Sequence, residues 1–515
     1  MPNYIKALIF VLIATSIIMV VSRDPLSSHF SKRECREYRN TWWFLTVCLF
    51  LSPGIWIFYA IVLMTLLKKK YSEDIDRICV FCFLLFIAPS VPAQIPGFAG
   101  IDTFFSVDVQ RLLIFFVLFP LLKSSLSGGL WRNPSDKYLL LYLTYSAVLL
   151  FRDENHTNAT RVAVLMFVDF AIPYFVISRT IKSLHEFNRV LLVLMFALSL
   201  LAAEAVFEAV KHWELYNSAG HHLIGERIFK FSGERAGMLR ARSIFLSPVV
   251  LGYAMVLLLA LLLYLKPYFT RKSSFYCLVL VASMALLVSF SRGAWVGGVI
   301  LLLVYGLIAK GVARAIWYVM AASLAGFLAL NLTQFGRSIL DLLPFFGGTA
   351  RTDTFDYRER LLENGIVVIK RHPWFGDHYY LDSPEMEALR QGQGIIDTVN
   401  TFLTIAMYRG LIGLFLFVMI FFPSMLVIYR SNRNLPESEQ MFSQLGRILI
   451  SFMVAALFII STVSNADFIP VIYTLAAAFM AAWIGIYRDN EHRVRTSSEL
   501  AVRQPAQGLG NSPAD

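Results

Sequence analysis

Five arginines stand at positions where arginine needs a reason. Arg240 and Arg242 occur in Leu-Arg-Ala-Arg-Ser-Ile-Phe-Leu-Ser-Pro, just before an apolar run. Arg292 occurs in Ser-Arg-Gly-Ala-Trp-Val-Gly-Gly, between two apolar runs. Arg358 and Arg360 occur in the one long polar stretch of the chain. A guanidinium is always charged, and its planar fork suits phosphate oxygens. Grouped together, such residues suit a diphosphate headgroup. Any one of them alone is explained more simply by a loop carboxylate or a lipid headgroup. Arg292 is the exception, because it is the only charge in a tight connection and Gly293 allows close backbone approach.

The rest of the chain must position these residues. It has 515 residues, of which 57% are hydrophobic and 16% charged, with mean hydropathy +0.62. The apolar residues form runs such as 249–265 and 411–429, close to the length that crosses a bilayer core. These features define an all-α polytopic membrane protein. They exclude a soluble enzyme, a secreted disulfide scaffold and a nucleic-acid binder. The net charge of +11 fits cationic cytoplasmic loops. Cys79 and Cys82 lie in an apolar run without the polar partners of a zinc or redox pair. Residues 5–21 are read as a first membrane helix, since no small-residue cleavage site follows them.

Spans are expected near 5–22, 43–67, 78–92, 111–122, 138–151, 162–178, 189–210, 244–265, 274–290, 295–312, 315–331, 400–429, 447–462 and 468–487, so about 12–14 transmembrane helices. The short 78–92 and 111–122 segments are candidates for re-entrant helices. Residues 1–331 would hold the first eleven spans and 400–487 the last three. Residues 488–515 would form a disordered cytoplasmic tail. With both termini cytoplasmic, Lys68–Lys70, Arg179, Arg189, Arg271 and Arg430 fall inside, as the positive-inside rule requires. One connection disobeys: residues 23–42 carry Arg23, Lys32, Arg33, Arg36 and Arg39 and would lie outside. A misread first span would account for that. Arg152 and Arg161 make a milder exception. The five arginines above all fall on the outer face. So does the loop 332–399, which carries seven Lys/Arg and ten Asp/Glu and reads as a small, partly helical cap.

Four segments resemble the bacterial O-antigen ligase and polymerase superfamily, which includes Wzy-type polysaccharide polymerases. Residues 240–248 resemble its Arg-x-x-Gly-x-Phe-x-x-Pro start of a span. Residues 291–295 are similar to its Ser-Arg-Gly-Ala-Trp turn. Residues 358–376, ending in His-Pro-Trp-Phe-Gly, resemble the start of its large periplasmic loop. Asp397-Thr-Val-Asn-Thr-Phe-Leu, then Tyr408-Arg-Gly-Leu-Ile-Gly, resembles the loop exit. The matches run in order through roughly residues 235–420.

The resemblance implies a GT-C-like, metal-independent glycosyltransferase of the bacterial inner membrane with a periplasmic site and no cofactor. Its donor would be an undecaprenyl-diphosphate-linked glycan, and a chain-length regulator is a candidate partner. Arg240, Arg242 and Arg292 would hold the diphosphate, with Arg358 or Arg360 helping. The family's usual His before Asn400 is Val399 here, which cannot move a proton. Asp397 and then His378 are the preferred replacement bases, with Asp377 and His372 behind them, and Asn400 would orient a hydroxyl. Asp397 serves equally well as a turn or cap residue. His372 sits in the His-Pro-x-x-Gly turn and is read as structural. Trp374 and Tyr379 are candidates to stack on sugar rings. The missing His inclines the reading toward a polymerase of O-antigen or exopolysaccharide repeat units. A ligase acting on lipid A core is the alternative, and a lipid-linked glycan transporter the second. Glu204, Glu208 and Asp169 are open between structural and functional roles. His212, His221 and His222 have no ligand spacing that favours a metal site.

Overall fold

The computed structural model describes residues 1–97, 103–229, 234–235, 238–310, 352–391, 394–465 and 467–503. The expected span at 315–331 lies outside these residues, as do loop residues 332–351 and tail residues 504–515. The chain is an all-α polytopic membrane protein. Among the described residues, nine helices are long and apolar enough to cross a bilayer.

The helices are α1 (Asn3–Leu26), α2 (Lys32–Leu51), α3 (Ile55–Lys68), α4 (Asp74–Leu84), α5 (Val109–Leu126), α6 (Pro134–Leu150), α7 (His156–Thr180) and α8 (Leu184–Lys211). A short helix α9 (Asn217–Ile224) precedes α10 (Pro248–Tyr268), α11 (Lys272–Val288) and α12 (Arg292–Lys310). The cap contributes α13 (Thr352–Arg371). The chain then forms α14 (Thr401–Asn432), α15 (Gln440–Ile460) and α16 (Ile469–Arg503). A hairpin of β1 (Ala93–Pro96) and β2 (Thr103–Val107) joins α4 to α5. Helix α16 runs on through residue 488, where composition suggests a polar tail.

Helices α8, α10 and α16 are buried on nearly all sides and form the centre, as expected of helices apolar all round. Helix α1 instead turns Ile9, Ile13 and Ile17 outward in an i, i+4 stripe that suits lipid. Between helices in lipid, close packing substitutes for the hydrophobic effect, and small residues permit it. Gly293 and Gly297, four apart on α12, do this against α15. A Cβ on Gly293 would strike the Thr462 hydroxyl, and one on Gly297 would lie 2.5 Å from Ile459.

Two expectations change. The stretch 43–67 is not one span. Ser52-Pro53-Gly54 breaks it into α2 and α3, because proline lacks the N–H that would continue the ladder. Helix α3 folds back along α2, so that Lys69 Nζ lies 5.5 Å from the Tyr38 ring. Residues near the start of α1 and near residue 488 of α16 therefore stand at opposite ends of the bundle. Tyr4 stacks on His222 at 4.8 Å, and Phe10 packs on Phe207 at the C-terminal end of α8. At the far end of α1, Asp24 accepts from the Arg271 amide at 3.0 Å. Arg488, near the other terminus, donates to the Arg132 carbonyl at that far end. The basic 23–42 connection therefore joins Lys69, Arg189 and Arg271 at one end. It is the second expected span, not the first, that the structure splits.

Candidate functional site

The opposite end of the bundle holds a pocket of about 740 Å³. Its walls carry Arg240, Arg292, Arg358, Asp397, Val399 and Asp467, with Ser247, Ser291, Thr462 and Ser464 among them. Four helices start at or beside it: α10 behind its cap Ser247, α12 at Arg292, α14 behind its cap Asn400, and α16 at Ile469. Helix N-termini carry unsatisfied N–H groups and the positive end of the macrodipole. Their convergence with three guanidinium groups is a setting that suits an anion.

Local chemistry positions each arginine. The 240–247 loop is strapped to α8 by buried carboxylates. Glu208 accepts from the amides of Arg242 at 3.1 Å and Ser243 at 2.8 Å. Glu204 accepts from the Ser243 hydroxyl at 2.7 Å and from Tyr216 at 3.1 Å. The Ala241 amide donates to the Val288 carbonyl at 3.0 Å, and Arg240 Nε donates to the Ser289 carbonyl at 3.3 Å. Arg240 and Arg292 are each half-buried at the pocket wall. Arg358, on α13, reaches the Thr462 carbonyl at 3.2 Å and lies beside Asp397. Glu204 and Glu208 thus tie down the loop, and Asp169 pairs with Arg111 at 2.8 Å.

The structure separates the other candidates from this pocket. Arg242 turns inward, 4% exposed, and pairs with Glu214 at 2.8 Å while lying over the Phe229 ring. The buried Glu214 claims Arg242, while Arg240 lines the pocket. Arg360 is exposed and does not line the pocket. His378 lies elsewhere, its Nδ1 3.0 Å from the Tyr408 hydroxyl and its Nε2 3.9 Å from Asp153. Asn400 caps α14, accepting from the Leu403 amide at 3.1 Å, which engages its side-chain oxygen. Trp374 and Tyr379 are exposed on the cap, away from the pocket lining.

The His372–Gly376 turn sits on a break in α14. Gly410 there has φ of 69°, in the left-handed region that favours glycine. The break frees backbone groups, and the turn takes them up. The Leu411 amide donates to the Pro373 carbonyl at 2.7 Å, and the Asp377 amide donates to Met407 at 2.8 Å. Arg152 donates to the carbonyls of Gly376 at 2.9 Å and Tyr408 at 3.0 Å. That explains one of the positive charges that runs against the charge rule.

Three carboxylates line the pocket, Glu234, Asp397 and Asp467, of which Glu234 is exposed on a two-residue strand. Asp397 accepts from the Ser464 hydroxyl at 2.5 Å, and its backbone brackets the Tyr357 hydroxyl at 3.0 and 3.1 Å. Asp467 was not among the sequence candidates. It follows α15 with φ of 55°, uncommon for a residue with a side chain. Its Oδ2 accepts from the Leu246 amide at 3.0 Å. Its Oδ1 is sealed from solvent and has no hydrogen-bond donor among the described residues. Burial pushes the carboxyl up to about 7, against the two backbone donors Leu246 and Phe468 that hold it down. In the sequence, only its place in a short polar link between two apolar runs hints at a role.

The fold and pocket define an integral membrane protein with a pocket of three arginines and three carboxylates at one end of its helical bundle. Residues 276–418, a little over a quarter of the chain, match the family model described as Wzy_C, O-antigen ligase. On that segment the chain is similar to the O-antigen ligase/Wzy superfamily. Comparison with curated proteins gave no match. The family speaks for ligase or polymerase function at a membrane and lends the transporter reading no support.

Proposed function

We propose that the chain is a glycosyltransferase that polymerises undecaprenyl-diphosphate-linked oligosaccharide repeat units at the periplasmic face of the bacterial inner membrane. The observation that carries this reading is the single pocket lined by Arg240, Arg292, Arg358, Asp397 and Asp467. The donor diphosphate would rest against the three arginines and the helix N-termini. An acceptor sugar hydroxyl attacks the anomeric carbon, the bond from that carbon to the phosphate oxygen breaks, and the diphosphate leaves with the electron pair. Fixed cations stabilise that developing charge without reorganisation at the moment of reaction. A pocket carboxylate takes the hydroxyl proton. Burial brings the Asp467 carboxyl up to about 7, and Asp397 remains the candidate nearest the family motif. Arg242 is assigned to the loop scaffold and His378 to the cap.

The O-antigen ligase description of the matched family favours a second reading, transfer to lipid A core. Val399 favours the first. It lines the pocket at the position where the family's usual His would serve, so a ligase built on that His is not what this pocket offers. Purified protein in liposomes, given a lipid-linked repeat unit as its only glycan, tests the choice. A ladder of carrier-linked oligomers on a gel is expected. Transfer only after lipid A core is added would establish the ligase instead.

A further inference from the structure

A second basic pocket lies at the other end of the bundle, where α1 turns into α2. It encloses about 490 Å³ and is lined by Arg23, Lys32, Arg36 and Arg39 above an apolar floor of Met19, Val20, Leu26, Trp43 and Phe196. No carboxylate lines it among the described residues. The neighbouring carboxylates are engaged elsewhere. Asp24 holds the Arg271 amide at 3.0 Å, Glu34 pairs with Arg189 at 3.3 Å, and Glu37 pairs with Arg33 at 3.1 Å. Arg39 lies over the Trp43 ring at 4.9 Å, which marks the level where charge meets the apolar layer. Val20 is 76% exposed, so the floor continues onto the lipid-facing side of α1.

We propose that this pocket binds an anionic phospholipid. Its phosphate would sit among Arg23, Lys32, Arg36 and Arg39, and an acyl chain would lie along Met19, Val20, Trp43 and Phe196. Basic pockets between helices on the cytoplasmic side suit anionic lipid headgroups. This end of the bundle also carries Lys69, Arg189 and Arg271, the charges that the insertion bias keeps inside. Four uncompensated cations above an apolar floor match a molecule with both an anionic head and a tail. A soluble anion would leave the floor unused.

Full-length protein in mild detergent would be titrated with dioleoyl phosphatidylglycerol, dioleoyl phosphatidylcholine, undecaprenyl phosphate and inorganic phosphate. Native mass spectrometry would count the bound ligand. Phosphatidylglycerol should bind about tenfold or more tightly than the other three. The R23Q/R36Q/R39Q variant should lose that preference. A variant with Arg33→Gln, Lys68→Gln and Lys70→Gln removes equal charge at the same end outside the pocket, and should keep it. Equal loss in both variants would reduce the effect to general surface charge and overturn the site. If the binding that R23Q/R36Q/R39Q removes is tighter for undecaprenyl phosphate, or equal for inorganic phosphate, the phospholipid is overturned as occupant. Size-exclusion profiles matching wild type keep a loss of binding distinct from a loss of fold.

Discussion

The Asp467 carboxylate accepts from the Leu246 amide at 3.0 Å and so joins the link between α15 and α16 to the loop before α10. Both segments border the arginine pocket, and they are more than 200 residues apart in the chain. That one bond fixes the height of Asp467 relative to Arg240.

Replacing the pocket arginines should remove catalysis and spare the fold. Arg292→Ala is expected to lower transfer by about 10²–10³-fold, the scale on which fixed donors to developing negative charge act. Arg292→Lys should recover part of it, because the charge stays and the fork is lost. Initial rates in liposomes at matched protein levels measure both. Wild-type rates for Arg292→Ala would remove the diphosphate role.

Arg242 should behave in the opposite way. Its pair with Glu214 is buried, and removing one partner of such a pair costs about 3–5 kcal/mol because the other charge stays stranded. Arg242→Gln and Glu214→Gln should each lower the melting temperature in detergent. Replacing both with apolar residues should restore much of the loss. Near-wild-type melting of Arg242→Gln together with abolished transfer would return Arg242 to the catalytic group.

A base at Asp467 would leave a mark in the pH dependence. The Asp467 carboxyl rises from 3.8 to about 7 on folding. Between those values the native state keeps a proton that the unfolded chain releases. Its contribution to stability is therefore present below about pH 4 and lost as pH rises through about 7. Asp467→Asn should flatten that decline in melting temperature. Transfer needs the ionised base, so wild-type activity should rise with pH through about 7, and Asp467→Asn should be inactive across the range. His378→Ala should retain transfer. If Asp397→Asn is dead while Asp467→Asn is active, the base is Asp397.

Gly410 should tolerate no side chain. Alanine there meets the left-handed φ, at a cost of about 1–2 kcal/mol, and a direct clash with the Trp374 carbonyl. Gly410→Ala should detach the His372–Gly376 turn from α14. Faster proteolysis between residues 372 and 391 than in wild type would report it.

Chain orientation can be read by labelling. In a cysteine-free background, Asn3→Cys should react with an impermeant maleimide in intact spheroplasts. Asn434→Cys should react only after permeabilisation. Equal access of both would restore the arrangement with the termini on one side.

The sequence alone determined the class of molecule, because apolar runs long enough to cross a bilayer leave no other home for a chain of this composition. Arg292 and Asp397 were also legible: each stands as a polar residue in a short motif whose neighbours, Gly293 and Asn400, start a helix. What it could not decide was which charges are spent on the scaffold. Arg240 and Arg242 read alike in sequence, and only the buried Glu214 tells them apart. Asn400 reads as a hydroxyl-orienting amide until its oxygen is seen to cap a helix. Asp467 carries no motif, and its acidity comes from burial beneath Leu246, a contact set by how α10 and α16 pack. The orientation of the N-terminus turned on Pro53-Gly54, because hydropathy over 43–67 is the same for one long span as for two helices folded back on each other. Local composition reports what a segment can be; long-range packing decides which of its polar groups remain available for chemistry.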